Sequence, residues 1–173
     1  MNKNIIHIQH YFSPCGELIL GSYDNKLCLC DWANEKHRDK VLMRLKKTLN
    51  ALCEPTPDDT LINASSQLDG YFAKQRTEFD MPLLFVGTEF QKKVWQALTS
   101  IPYGTTVSYA TVAKQISMPT AVRAVANANG ANAISVFVPC HRVIGSDNTL
   151  TGYGGGLDTK LYLLQLEGNF SLF

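Results

Sequence analysis

The most informative segment of this sequence is Pro139-Cys140-His141-Arg142-Val143-Ile144. The apolar run 134–138 comes directly before it and predicts a buried strand that ends at the cysteine. A thiol at the end of a rigid strand, followed by an imidazole, suits nucleophilic sulfur chemistry. A cysteine thiol titrates near ~8.5, so little of it is thiolate at neutral pH unless a neighbouring group lowers its pKa. The segment therefore makes Cys140 a candidate nucleophile.

The residues alone leave two interpretations of Cys140 and His141 open. In an extended segment, neighbouring side chains point to opposite faces, so direct proton transfer between this thiol and this imidazole would be awkward. A bridging water is then the more natural route. Alternatively, Cys140 is a small core residue and His141 is a structural histidine whose hydrogen bonds are satisfied.

The composition is that of an ordinary globular protein. The chain has 173 residues, 45% hydrophobic and 18% charged, which is enough for one substantial core or two small ones. Its net charge of +1 gives no argument for nucleic acid. No apolar stretch reaches the ~18 residues of a membrane span, and the first residues do not resemble a signal peptide. The odd number of cysteines, five, favours reduced thiols. We therefore expect a cytoplasmic protein (nuclear in a eukaryote) with no membrane partner.

The first half of the chain predicts a mixed α/β domain. Two apolar runs flank Asp24-Asn25 and predict a hairpin. Apolar residues at helical spacing, continuing to Leu52, predict a helix, and a second, shorter helix contains Leu68. An extended stretch over 77–86 follows. The boundary placed there gives two expected domains, residues 1–86 and 87–173.

The second half predicts helices with recognisable caps. Thr88-Glu89-Phe90-Gln91 fits a capping box, and Ser108 is a good N-cap for a short helix. Pro119 suits the first turn of the next helix, which stops at Gly130. The two short helices together predict a helix-turn-helix.

The second helix of this pair has small side chains and a single arginine, Arg123. A plain buried helix would explain the alanines, whereas close approach to DNA would explain the arginine as well, and both remain open. The glycines of 152–156 lack the lysine of a phosphate-binding loop, so they either leave room for a flat ligand or form a mobile loop. The cysteine and histidine spacings give no zinc motif. We expect no metal and no cofactor.

Taken together, these features resemble the O6-alkylguanine-DNA alkyltransferase family, also called methylated-DNA–protein-cysteine methyltransferases. The resemblance is strong over 88–168 and looser before Thr77. Besides the PCHRVI segment it rests on Val107-Ser108-Tyr109, Arg123-Ala124-Val125, Asn132, Gly152-Tyr153, Leu163-Leu164 and Glu167-Gly168. The resemblance implies an α+β fold. A small N-terminal α/β, ribonuclease-H-like domain would precede a mostly helical, winged-helix-like domain that carries the helix-turn-helix and the active site.

The resemblance also implies a reaction, direct reversal of alkylation damage in double-stranded DNA. The alkyl group of O6-alkylguanine, or of O4-alkylthymine, would move to Cys140 and stay there, so each molecule, expected to be a monomer, would react once. His141 would accept the thiol proton through a water and would be oriented by Glu167. Asn132 would hold the active-site loop.

DNA contacts are implied in the same way. The damaged nucleotide would be flipped out through the minor groove, because a stacked base cannot reach a buried thiol. Tyr109 would help to push it out and would hydrogen-bond the guanine, while Arg123 would fill the vacated space in the duplex. Four further contacts with DNA are expected, from Ala121, Ala124, Gly154 and Lys160.

The chain departs from the common family pattern at Ala131 and Ala133, where many relatives have a basic residue and a proline. Two other classes of function compete with the transferase. A non-catalytic sensor of alkylated DNA has another residue in place of the cysteine before His141, and a Cys/His hydrolase needs its base directly on the thiol. The cysteine at position 140 favours the transferase.

Overall fold

The computed structural model describes residues 3–33 and 36–169. Contacts divide the chain into two units, Met1–Val86 and Gly87–Phe173. The first combines a sheet with two helices, and the second is mostly helical, which confirms the α+β class. The ends of the two expected domains, 1–2 and 170–173, lie outside the described residues.

A four-stranded sheet organises the N-terminal unit. Its strands are β1 (Asn4–Ser13), β2 (Gly16–Tyr23), β3 (Lys26–Trp32) and β4 (Ala51–Glu54). They lie in the order β3-β2-β1-β4, with β4 parallel to β1 and the other pairs antiparallel. The predicted hairpin is confirmed. Asp24 and Asn25 have φ of 51° and 61°, as a tight turn between β2 and β3 requires.

Two helices of 14 residues each, α1 (Lys36–Leu49) and α2 (Asp59–Phe72), belong to the same unit. The prediction that the first helix continues to Leu52 is wrong. Asn50 takes a left-handed φ of 48° that ends α1, and Leu52 lies in β4. The second helix is not the shorter one, because Asp58 caps it early by accepting a hydrogen bond from the Leu61 amide at 2.9 Å.

The stretch before the unit boundary is extended where it meets β3. The Leu27 amide donates to the Pro82 carbonyl, and the Leu84 amide donates to the Leu27 carbonyl, both at 2.9 Å. These bonds make an isolated bridge between Leu27 and Leu83. Pro82 is tolerated because it supplies an acceptor and no donor.

Over residues 87–169, the C-terminal unit contains four helices, two short strands and a 3₁₀ turn. These are α3 (Glu89–Leu98), β5 (Val107–Ser108), α4 (Tyr109–Gln115), α5 (Val122–Gly130), the turn Cys140–Arg142, β6 (Val143–Ile144) and α6 (Leu157–Leu166). The predicted capping box is confirmed. Thr88 Oγ1 accepts from the Gln91 amide at 3.1 Å, and Gln91 Oε1 accepts from the Thr88 amide at 2.9 Å. Ser108 caps α4 as predicted, accepting from the Thr111 amide at 3.1 Å.

The helix-turn-helix pair α4 and α5 packs against α3. Val94, Trp95 and Leu98 of α3 are buried, and the indole Nε1 of Trp95 donates to the Ala128 carbonyl of α5 at 2.8 Å. Apolar burial and this bond together fix α5 in the unit.

Pro119 precedes α5 and does not lie in its first turn as predicted. The Ala121 amide donates to the Met118 carbonyl at 2.9 Å and closes a turn that contains the proline. The helix then begins at Val122, and no side chain caps it.

The apolar run 134–138 is buried, but it is not the predicted strand. Val136 has a left-handed φ of 72°. The Val138 amide donates to the Ile134 carbonyl at 2.9 Å, which folds the run back on itself. The chain is therefore not extended as it reaches Cys140, and the argument from opposite faces does not apply to Cys140 and His141.

Within the described residues, no helix combines the length and the apolar character that crossing a membrane would take.

Candidate active site

A compact loop carries Cys140 into the interior. Asn132 is 3% exposed and holds this loop from both sides. Its Nδ2 donates to the Val138 carbonyl at 3.1 Å, and its Oδ1 accepts from the Ile134 amide at 3.0 Å. The Cys140 amide then donates to the Val138 carbonyl at 2.7 Å as the 3₁₀ turn begins. The thiol residue is 4% exposed.

The pairing of β5 with β6 places Tyr109 close to the same turn. β5 and β6 are parallel, with Val107 opposite Val143 and Ser108 opposite Ile144. β6 directly follows the cysteine turn, and Ser108 caps α4. The first residue of α4, Tyr109, is thus anchored beside the segment that leaves the turn.

The next two residues of the turn meet a carboxylate at the end of α6. His141 is fully buried, and its Nε2 lies 2.8 Å from Glu167 Oε1. Arg142 binds the same carboxylate with two donors, Nε to Oε2 at 2.9 Å and Nη2 to Oε1 at 2.8 Å. Its Nη1 donates to the Ile101 carbonyl at 2.7 Å. A bidentate arginine fixes the position of a carboxylate as well as its charge.

Burial and pairing set the charges of this cluster. Burial lowers the pKa of His141, although the hydrogen bond and charge of Glu167 oppose that shift. Burial would raise the pKa of Glu167, but hydrogen bonds from His141 and Arg142, with their charges, outweigh it and lower that pKa to about 2. The two hydrogen bonds from Arg142 favour the ionised form of Glu167.

The protonation of Glu167 decides the tautomer of His141. An ionised carboxylate only accepts hydrogen bonds, so the imidazole hydrogen lies on Nε2 and the lone pair on Nδ1. Nδ1 is buried and has no hydrogen-bond partner among the described residues. The cluster can therefore take up a proton at Nδ1, one residue away from the thiol in the chain.

Lys160 corrects a prediction. We expected it to contact DNA, but it is 0% exposed. Its Nζ donates to the Val143 carbonyl at 2.7 Å and to the Thr151 carbonyl at 3.3 Å. Burial lowers its pKa to about 8, while a negative charge on Cys140 would act in the opposite direction. A phosphate cannot reach an ammonium group enclosed in this way.

The other five residues expected to contact DNA lie at or near the surface, and among them Tyr109 is half-buried. Arg123 and Ala124 are exposed, and Ala121 and Gly154 are half-buried. On the opposite side of α5, Val125, Ala128 and Asn129 are buried, so the helix presents Arg123 and Ala124 outward. This arrangement leaves Arg123 available to a partner.

No group of three or more histidine, cysteine, aspartate or glutamate side chains that could hold a metal ion occurs within 3–33 and 36–169.

Two family models match the chain. The ribonuclease-like domain of 6-O-methylguanine DNA methyltransferase matches residues 6–85, and the DNA binding domain of the same protein matches residues 89–169. The chain belongs to the 6-O-methylguanine DNA methyltransferase family. The resemblance recognised from the PCHRVI segment and its companion motifs is thereby confirmed.

Individual relatives agree over nearly the whole length. A methylated-DNA–protein-cysteine methyltransferase of Mycobacterium leprae is 44% identical over 163 residues, which cover 94% of this chain and 93% of that protein. The crystal structure of Mycobacterium tuberculosis O6-methylguanine methyltransferase superposes with a TM-score of 0.80 at 42% identity, covering 94% of this chain and 92% of the other. The structure of Mycobacterium tuberculosis OGT in complex with DNA gives a TM-score of 0.80 at 42% identity, covering 93% and 92%.

Three residues of this methyltransferase site were not singled out from the sequence. Arg142 stands inside the PCHRVI segment, which was the available signal, but its partner is 25 residues away. Thr151 Oγ1 lies 2.6 Å from the hydroxyl of Tyr109. Asn129 Nδ2 donates to the Cys140 carbonyl at 3.4 Å. No local pattern marks the last two, because both contacts depend on how distant segments meet.

Proposed function

We propose that this chain repairs O6-alkylguanine, and O4-alkylthymine, in double-stranded DNA by moving the alkyl group irreversibly onto its own Cys140. The observation that carries the proposal is the buried imidazole of His141. Glu167 binds the imidazole at Nε2, so Nδ1 of His141 can accept a proton. His141 lies in the same turn as the thiol of Cys140. The names of the relatives and the DNA complex of Mycobacterium tuberculosis OGT support the substrate class.

In the proposed reaction, the alkyl group passes directly from the damaged base to the sulfur of Cys140. His141 Nδ1 takes the thiol proton of Cys140 through a bridging water, which leaves a thiolate and an imidazolium paired with Glu167. The thiolate attacks the alkyl carbon, so an S–C bond forms as the C–O6 bond breaks. The electron pair stays on the base, which takes up one proton, and the proton that His141 accepted from the thiol makes up for it. The thioether has no good leaving group, so one protein molecule repairs one lesion.

Before this transfer, the damaged base must reach the thiol. Flipping a nucleotide costs a few kcal/mol, and an arginine inserted into the gap offsets part of that cost. Arg123 is exposed on the outward face of α5, next to the small Ala124. Tyr109 would assist the rotation and bind the flipped guanine, while Asn132 keeps the loop of Cys140 in shape.

We further propose that residues 1–86 and 87–173 act as two domains. The second contains every residue assigned to the chemistry. The protein works as a monomer in the cytoplasm, or in the nucleus if its source is a eukaryote.

Single-turnover repair tests the proposal. Duplex DNA with one O6-methylguanine is incubated with excess protein, and then with limiting protein. We expect complete repair in the first case and one lesion repaired per protein molecule in the second. Cys140→Ser should repair nothing, whereas the matched control Cys53→Ser should retain activity. Binding of the damaged duplex without loss of the lesion by folded wild-type protein would contradict the proposal and favour a damage sensor.

A further inference from the structure

We propose that Thr151 is a positioning residue for Tyr109, holding the phenol in place for the flipped base. The inference rests on the proposed function. Its basis is the hydrogen bond between Tyr109 Oη and Thr151 Oγ1, 2.6 Å long and joining residues 42 positions apart. Both side chains are half-buried, so this bond is partly protected from competing water.

Thr151 is itself anchored to the segment that leaves the cysteine turn. The buried ammonium of Lys160 donates to the Thr151 carbonyl and to the Val143 carbonyl of β6. Tyr109 is tied to the same place from the other side, because β5 pairs with β6. Thr151 and Tyr109 are thus both held against β6, and the hydrogen bond between their side chains joins them directly.

Without this anchor the loop would be loosely held at Thr151. Gly152 follows directly, and a Cβ added to it would meet no atom within 4 Å. Gly156 then takes a left-handed φ of 91° before α6 begins. Lys160 therefore explains how a residue in a glycine-rich loop can hold a defined position.

The chemistry of the two hydroxyls gives the bond its function. A phenol has one O–H donor and can also accept. When Thr151 donates to Tyr109 Oη, the phenolic hydrogen is free and points away from Thr151, ready to donate to an acceptor on the base. Replacing the threonine hydroxyl by a methyl group removes the partner that fixes the rotation of that hydrogen. The loss should then appear in the transfer step, since the phenol still occupies its site.

The test compares five proteins in single-turnover transfer at saturating O6-methylguanine duplex: wild type, T151V, T151S, Y109F and Y109F/T151V. We expect T151V to slow transfer about five- to tenfold, the size of one hydrogen bond, with DNA affinity changed less than twofold. T151S keeps the hydroxyl and should recover most of the rate. In the Y109F background the valine should cause no further loss, because its target is already gone.

Matched controls separate this role from loop stability. Thr149 lies on the same loop and bonds Asp147, at 2.7 Å. T149V therefore reports a general effect of losing a threonine hydroxyl there, and we expect it to slow transfer less than twofold. A second readout uses DNA-free protein labelled with 3-fluorotyrosine at position 109. Its fluorine resonance should shift in T151V and stay close to wild type in T151S.

The outcomes are distinguishable. An equal rate loss for T151V with and without Y109F, or a T151V rate equal to that of wild type, would overturn the inference alone. Wild-type protein that transfers no alkyl group would overturn the proposed function and the inference with it.

Discussion

Replacing Glu167 by glutamine removes the negative charge that pairs with His141 and Arg142. The free energy of unfolding should then fall by about 3 kcal/mol at neutral pH. The pKa of this carboxyl falls from 4.5 to about 2 on folding, and at about 1.4 kcal/mol per pKa unit this corresponds to roughly 3 kcal/mol. An independent argument gives a similar figure. Arg142 is 6% exposed, and removing one partner of a buried ion pair typically costs about 3–5 kcal/mol.

Urea unfolding of wild type and Glu167→Gln at neutral pH measures this loss directly. The matched control is Glu89→Gln. Glu89 is 96% exposed and lies 3.5 Å from Lys92, so its removal should change the free energy of unfolding by less than about 0.5 kcal/mol.

The pH dependence supplies a second check. Because folding lowers the pKa of Glu167, its stabilisation is fully present above pH 4.5 and is lost as the pH falls towards about 2. The difference in free energy of unfolding between wild type and Glu167→Gln should therefore become smaller over that pH range. A Glu167→Gln variant as stable as the Glu89→Gln control would contradict the ion pairing of Glu167. A difference in free energy of unfolding that does not change with pH would contradict it as well.

Three further predictions follow from the same structure. Arg123→Ala should slow repair of duplex far more than reaction with the free base, measured as single-turnover rates. An equal loss of rate on the two substrates would contradict the insertion of Arg123 into the duplex. Thr88→Ala breaks the capping box with Gln91 and should lower the free energy of unfolding by about 1 kcal/mol in thermal denaturation, whereas an unchanged midpoint would contradict that cap. Because burial lowers the pKa of His141 below 6.5, the transfer rate should stay constant as the pH falls through 6.5 and decline only below it. A midpoint at or above that pH would contradict a lowered pKa of His141.

Local signals in the sequence predicted local structure well. The turn at Asp24-Asn25 and the caps at Thr88 and Ser108 involve residues within a few positions of each other, and the structure has them where the sequence placed them. The second helix of the N-terminal unit was underestimated because the capping aspartate, Asp58, sits in a proline-rich stretch that reads as loop.

Contacts that no local sequence pattern marks decided what could not be predicted. The run 134–138 has the apolar content of a strand, but Asn132 and the left-handed Val136 fold it into turns. The cationic Lys160 reads as a surface residue, yet two backbone carbonyls receive it in the interior. Arg142 and Glu167 are 25 positions apart, so no spacing rule pairs them.

Peptide mass mapping after reaction shows directly whether Cys140 is the alkyl acceptor. Folded protein is treated with duplex DNA containing O6-methylguanine, digested and examined for methylated cysteine. We expect one methyl group on the peptide that contains Cys140 and unmodified peptides for the other four cysteines. A methyl group on any other cysteine, or a Cys140 peptide that stays unmodified with excess damaged DNA, would contradict it.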